Sequence, residues 1–127
     1  MEKVFDFNEY GVCTNPNVFS FVSGRYKVMI ETAMIDDKWD YGFWLDTPNS
    51  GWVNGISKNV PDPDLFKTEN EAIARAAARA IEWFEHEVDW HNKAHRPIKV
   101  PQFIFDELKK LLKPQRPKPV QLSLFDF

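Results

Sequence analysis

From Tyr26 to Ile35 the chain alternates, with Tyr26, Val28, Ile30, Thr32 and Met34 on one side and Lys27, Met29, Glu31, Ala33 and Ile35 on the other. A period of two, rich in β-branched and aromatic types, predicts a strand. Asp36-Asp37 then reads as a turn. A second strand follows, with Trp39, Tyr41, Phe43 and Leu45 on one face and Asp40, Gly42, Trp44 and Asp46 on the other. Thr47-Pro48-Asn49-Ser50-Gly51 is a turn signal, and Trp52 to Ser57 is a further strand or, through Asn54-Gly55, a strand interrupted by a tight turn. Ahead of these, Phe19 and Phe21 lie in a short apolar run ended by Ser23-Gly24, and Val4 to Phe7 is a weaker strand candidate.

The period changes after Val60-Pro61-Asp62-Pro63-Asp64. Thr68 with Glu71 three positions later matches a capping box, in which each side chain accepts a backbone N–H of the other residue. Ile73, Ala77, Ala80, Ile81, Phe84 and Val88 recur at helical spacing, and alanines 76, 77 and 78 favour helix while permitting close approach to a sheet. This predicts a helix over about residues 69–93. A second one lies between Pro101 and Pro114, with Ile104, Phe105, Leu108, Leu111 and Leu112 on one side. Strands followed by helices imply an α+β fold: a small antiparallel sheet of three to four strands, a long helix on one face, a second short helix, and an extended C-terminal tail. The expected organisation is an α+β domain over 1–96, a short amphipathic helix completing it over 97–113, and a proline-rich tail over 114–127.

In outline, Tyr26 to Phe84 resembles the HicB-like antitoxin domain and other small β-β-β-α modules. In these a strand pair leads through a Gly-containing segment into a Thr-x-x-Glu-Ala helix start, here Thr68-Glu69-Asn70-Glu71-Ala72. The Pro-Asp loop before the helix is longer than in that pattern. What the resemblance implies is an antitoxin or regulatory module that binds a toxin or RNA through its sheet.

Composition narrows the class. At 127 residues the chain has the size of one small domain, and 43% hydrophobic with 15% aromatic residues suffices for a packed core. No apolar run reaches the length of a membrane span, and the start lacks a secretory apolar region. The single Cys13 has no internal disulfide mate, so a cytoplasmic location is expected. The net charge of −3 hides an asymmetry. Residues 1–95 carry nine basic and sixteen acidic groups, a net of −7, whereas 96–127 carry seven and three, a net of +4. An acidic body does not grip nucleic acid over its whole surface, while a basic, proline-rich end reads as an interaction tail.

Candidate chemistry in the body is sparse. His86 and His91 are five apart, roughly 140° around a helix, which does not fit a zinc-protease pair. His91 and His95 have metal-compatible spacing but read as solvated residues at a helix end. Asp36, Asp37, Asp40, Asp62 and Asp64 lie at turns and loop boundaries where Asp bonds nearby backbone. Phosphate-loop, nucleophile-elbow and Cys-x-x-Cys patterns are missing, so neither a catalytic constellation, a cofactor nor a metal is expected. Most aromatic rings between Tyr26 and Trp52 are expected in the core, because the region carries too few cations for a base-stacking platform. Trp44, opposite the Trp39/Phe43 face, and Trp83, on the shoulder of the helix stripe, are the candidates for a partner surface.

The tail carries the sharpest signal. Lys113-Pro114-Gln115-Arg116-Pro117-Lys118-Pro119-Val120 reads as an extended linker, and Gln121-Leu122-Ser123-Leu124-Phe125 follows it. These five residues are similar to the bacterial sliding-clamp-binding motif, Gln-Leu-Ser/Asp-Leu-Phe, and all five positions match. The chance of such a match in a chain this short is on the order of 10⁻⁴. The resemblance implies that Leu124 and Phe125 anchor in a hydrophobic pocket of the clamp, Gln121 fixes register through its amide, Leu122 packs in a shallower subsite, and Ser123 spaces them. Arg116 and Lys118 add attraction to an acidic clamp surface or to DNA. The alternative is that the segment docks as an edge strand on its own domain. The functional expectation is a non-enzymatic adaptor, bacterial or from a mobile element or phage, recruited to the replicative sliding clamp in DNA metabolism.

Overall fold

A computed structural model describes residues 3–59 and 65–112. Four antiparallel strands, β1 (Asn17–Ser23), β2 (Tyr26–Ile35), β3 (Lys38–Asp46) and β4 (Gly51–Asn54), form one sheet in the order β1-β2-β3-β4. They are followed by α1 (Glu69–Lys93) and α2 (Gln102–Leu111), both packed on the same face. This is the α+β fold that the two periodicities predict, with the sheet at the upper strand count.

Turn chemistry sets the register. The β1–β2 loop is Gly24-Arg25 between the paired Ser23 and Tyr26, and Gly24 takes φ +61, which suits a glycine at the first position of a two-residue hairpin. The β2–β3 loop is Asp36-Asp37, with φ +50 and +69, a left-handed pair that the short Asp side chains tolerate. The register then alternates the strands as their sequences require. Val28, Ile30, Tyr41, Phe43 and Leu45 are buried toward the helices, and Trp44 points the other way.

The helix α1 begins as its capping box dictates. Thr68 Oγ1 accepts the Glu71 N–H at 3.2 Å and Glu71 Oε1 accepts the Thr68 N–H at 3.2 Å. Its buried stripe is built mainly from small residues, Ala72, Ala76, Ala77 and Ala80, with Ile73 and Phe84, whereas Ile81 and Val88 are only half-buried. Small side chains bring the helix close to the sheet, so alanine rather than Ile or Val occupies the centre of the contact. Long-range polar bonds fix its first turn: Glu69 Oε2 accepts from Thr32 Oγ1 at 2.6 Å and from Asn17 Nδ2 at 2.8 Å. In α2, Ile104 and Leu108 are buried and Phe105 and Leu111 half-buried, while Leu112, just past its end, is exposed.

Two expected strands are shorter or missing. The last strand ends at Asn54 rather than Ser57, because the chain leaves the ladder and crosses the opposite face of the sheet. There Ile56 joins Ala33, Ile35 and Cys13 in a second small core, flanked by Phe5 and Phe7. Val4 to Phe7 forms no strand: Phe7 makes an isolated bridge to Cys13, and Val12 another to Ser57. The first residues thus cover one half of the outer sheet face instead of extending the ladder.

Candidate functional site

Among the described residues the other half of that face is open. Ser20, Met29, Trp44 and Val53 make a row across all four strands. Val22, Lys27 and Asp46 lie on one side of the row, and Val18 and Glu31 on the other. Val18, Val22, Trp44 and Val53 are exposed, the tryptophan by 41%. Its ring is held from two directions: the Lys27 ammonium lies 4.5 Å from the ring centroid, and the indole Nε1 donates to Asp46 Oδ1 at 3.0 Å. A cation over an exposed indole contributes about 0.5–1 kcal/mol and limits the ring's freedom before any partner arrives.

Glu31 sits in the middle strand of this face, and burial raises its carboxyl above the ordinary glutamate value. Its proton is therefore held more tightly in the folded chain than in the unfolded one. The resulting stabilisation is present below the unfolded carboxyl's range and is lost as pH rises through the folded value. Glu31→Gln is accordingly expected to stabilise the protein at pH 7, with the gain shrinking below the unfolded glutamate's range. Urea melts at pH 7 and about pH 4 read this directly. A gain of the same size at both would show that charge burial is not its source.

Trp83 lies elsewhere. It is half-buried on α1, its ring 5.1 Å from that of Phe84, and belongs to the helix layer on the far side of the sheet from Trp44. The two tryptophans do not share a surface. Of the other aromatic rings between Tyr26 and Trp52, Tyr41 and Phe43 are buried and Tyr26, Trp39 and Trp52 half-buried against the core. Arg79 of α1 lies 5.1 Å from the Trp52 ring centroid and donates to Tyr41 Oη at 2.8 Å, a cation among core rings that no helical spacing announces.

His91 departs from the solvated role expected of it. It is 6% exposed, while His86 and His95 are exposed. Its Nδ1 lies 2.8 Å from the Glu87 carbonyl, which can only accept, so Nδ1 carries the proton. A cleft of about 340 Å³ is lined by His91 with Asn49, Ser50, His86, Glu87 and Trp90. Within it Ser50 Oγ donates to Glu87 Oε1 at 2.5 Å and lies 2.7 Å from Thr47 Oγ1. The serine proton thus points to a carboxylate rather than to an imidazole. The arrangement staples the β3–β4 loop to α1. Cys13 is buried, and burial pushes its thiol up, away from the reactive thiolate. Among the described residues no group of three or more His, Cys, Asp or Glu is placed to hold a metal.

Arg116, Lys118 and the peptide Gln121, Leu122, Ser123, Leu124 and Phe125 lie outside the described residues. Among the described residues no helix is long and apolar enough to cross a membrane. Comparison of the chain with protein-family models, with curated proteins and with solved structures found no match in any of the three.

Proposed function

We propose that this chain is a non-enzymatic adaptor that reaches the bacterial replicative sliding clamp through Gln121–Phe125 while the open sheet face meets a second protein. The observation that carries the reading is the five-for-five match of Gln-Leu-Ser-Leu-Phe to the clamp-binding motif. The packing of the domain is consistent with it. Among the described residues the core closes over β2, β3, α1 and α2 with their own buried side chains. The adaptor would act in replication- or mobile-element-associated DNA metabolism, in the cytoplasm.

The energetics favour a reversible tether. Burying Leu124 and Phe125 contributes roughly 3–6 kcal/mol before the cost of ordering the peptide. A segment that orders on binding loses part of that gain, which gives modest affinity and rapid exchange. The Leu124→Ala/Phe125→Ala variant of the full chain is expected to lose at least about a hundredfold in affinity for purified clamp. Calorimetric titration checks it, and equal binding by wild type and variant, or none by either, would sink the reading.

A second reading draws on the open face, where Lys27 and Trp44 stand together with Arg25 exposed nearby. A HicB-like module would use such a surface to bind a toxin or RNA. Glu31 and Asp46 share the face, and carboxylates beside the tryptophan oppose a polyanion. That charge pattern is why a protein partner is preferred.

A further inference from the structure

Among the described residues strand β1 is an edge of the sheet, and its own sequence lacks the usual protection of edges. Asn17–Ser23 contains no proline, no lysine and no charge of either sign, and Val18, Phe19 and Val22 are exposed by 51%, 38% and 58%. Its sequence is also symmetric: Val18-Phe19-Ser20-Phe21-Val22 reads the same in both directions about Ser20.

We propose that two copies of this chain pair through β1, antiparallel and two-fold symmetric about Ser20, to make one continuous sheet. Symmetry of residue type is what an isologous strand pair requires, since each residue meets its mirror position on the partner. In that register Val18 lies opposite Val22 of the partner subunit, Phe19 opposite the partner's Phe21, and Ser20 opposite the partner's Ser20. The backbone phase agrees. Ser23 and Tyr26 flank a two-residue loop and form a hydrogen-bonded pair, so by alternation Phe21 and Phe19 also bond inward to β2. Val18, Ser20 and Val22 then turn their N–H and C=O groups outward, and a two-fold at Ser20 pairs these same groups with each other.

The helix layer borders the seam. α2 lies over the β1–β2 pair, with Phe103 edge-on to Phe21 at 6.2 Å. The two-fold makes the two α2 helices antiparallel neighbours across the seam. Between β1 and α2 runs a groove of about 380 Å³ lined by Phe19, Ser20, Phe21, Glu107, Lys110 and Leu111. It gives the partner's aromatic side chains an apolar seat. Glu107 and Lys110 form an exposed ion pair at 2.7 Å along it, so antiparallel helices bring acid toward base. The exposed Phe103 falls inside the same interface. This pairing is independent of the clamp-binding reading.

The test uses the full chain and two variants of equal polarity. Val18→Lys/Val22→Lys places like charges opposite each other across the two-fold, and Val18→Lys/Val22→Glu places opposite charges there. Both positions are solvent-facing, and far-UV circular dichroism with thermal melts verifies that both variants fold. Sedimentation velocity up to about 1 mM is expected to show a concentration-dependent wild-type dimer. The Lys/Glu variant is expected to associate at least about tenfold more tightly than the Lys/Lys variant. A wild type that stays monomeric throughout, which would leave the edge to some other partner or to this chain's own tail, overturns the proposal. So does equal association of the two variants, which would put any dimer on another face or in another register.

Discussion

Replacing Gly42 with valine is expected to remove about 3 kcal/mol or more of folding stability, a large share of what a domain of this size has. The reason is a crossing of backbones rather than a left-handed conformation. A Cβ on Gly42 would run into the carbonyl oxygen of Asn54 and sit 3.2 Å from the Gly55 carbonyl carbon. Those atoms belong to the stretch that carries the chain off β4 and over the outer sheet face, delivering Ile56 to Ala33, Ile35 and Cys13. Backbone cannot step aside as a side-chain tip can, so the substitution must lift the crossing and unseat Ile56. Gly55→Ala is the control. A Cβ there meets nothing within 4 Å and its φ is not left-handed, so it is expected to be neutral or slightly stabilising. Urea denaturation of both variants checks the contrast. A tolerated Gly42→Val would mean that the crossing is not needed to hold the second core.

Phe84→Ala is expected to cost about 3–5 kcal/mol. The Phe84 side chain is fully buried and joins the layers: it meets Trp83 at 5.1 Å and Phe105 of α2 at 6.4 Å, within the cluster that includes Val28, Phe43, Ile104 and Leu108. Removing the ring leaves a void bounded by elements that hold one another apart, so collapse is incomplete. The same variant separates stability from recruitment. Under the proposed clamp-binding role of Gln121–Phe125, its affinity for the clamp below its melting range is expected to match wild type, because the substitution removes none of those five residues. A parallel loss of clamp affinity would tie the peptide to the domain.

Much of this architecture was legible because it follows from local periods. The alternation from Tyr26 to Asp46, the Thr68–Glu71 capping box and the apolar spacing of α2 each translate directly into an observed element. What is not local was not legible. Glu69 accepting from Thr32 and Asn17, His91 folded back on the Glu87 carbonyl, and Arg79 among the rings of Tyr41, Phe43 and Trp52 depend on which helix face meets which strand. The strand expected over Val4–Phe7 failed for the same reason, and the uninterrupted strand over Trp52–Ser57 gave way to a break at Asn54-Gly55, where the alternative reading placed one. Both segments have strand-forming composition, but their best burial lies on the outer sheet face rather than in the ladder.

The tryptophans divide in the same way. Alternation alone sets Trp44 opposite the core face, since side chains in a strand switch sides at every residue. Trp83 sits at the margin of a helical stripe, where a few degrees of helix rotation decide between solvent and core, and only the packing of α1 against α2 and the sheet turned it half inward. By itself, the sequence determined the α+β class, the turns, the two helices and the Gln121–Phe125 motif, because each is written in residues close together in the chain. Among the described residues, the tertiary structure alone decided which half of the outer face stays open and which strand forms the edge. Those depend on where the chain crosses at Gly42 and where β1 falls in the sheet, and contacts between distant segments set both.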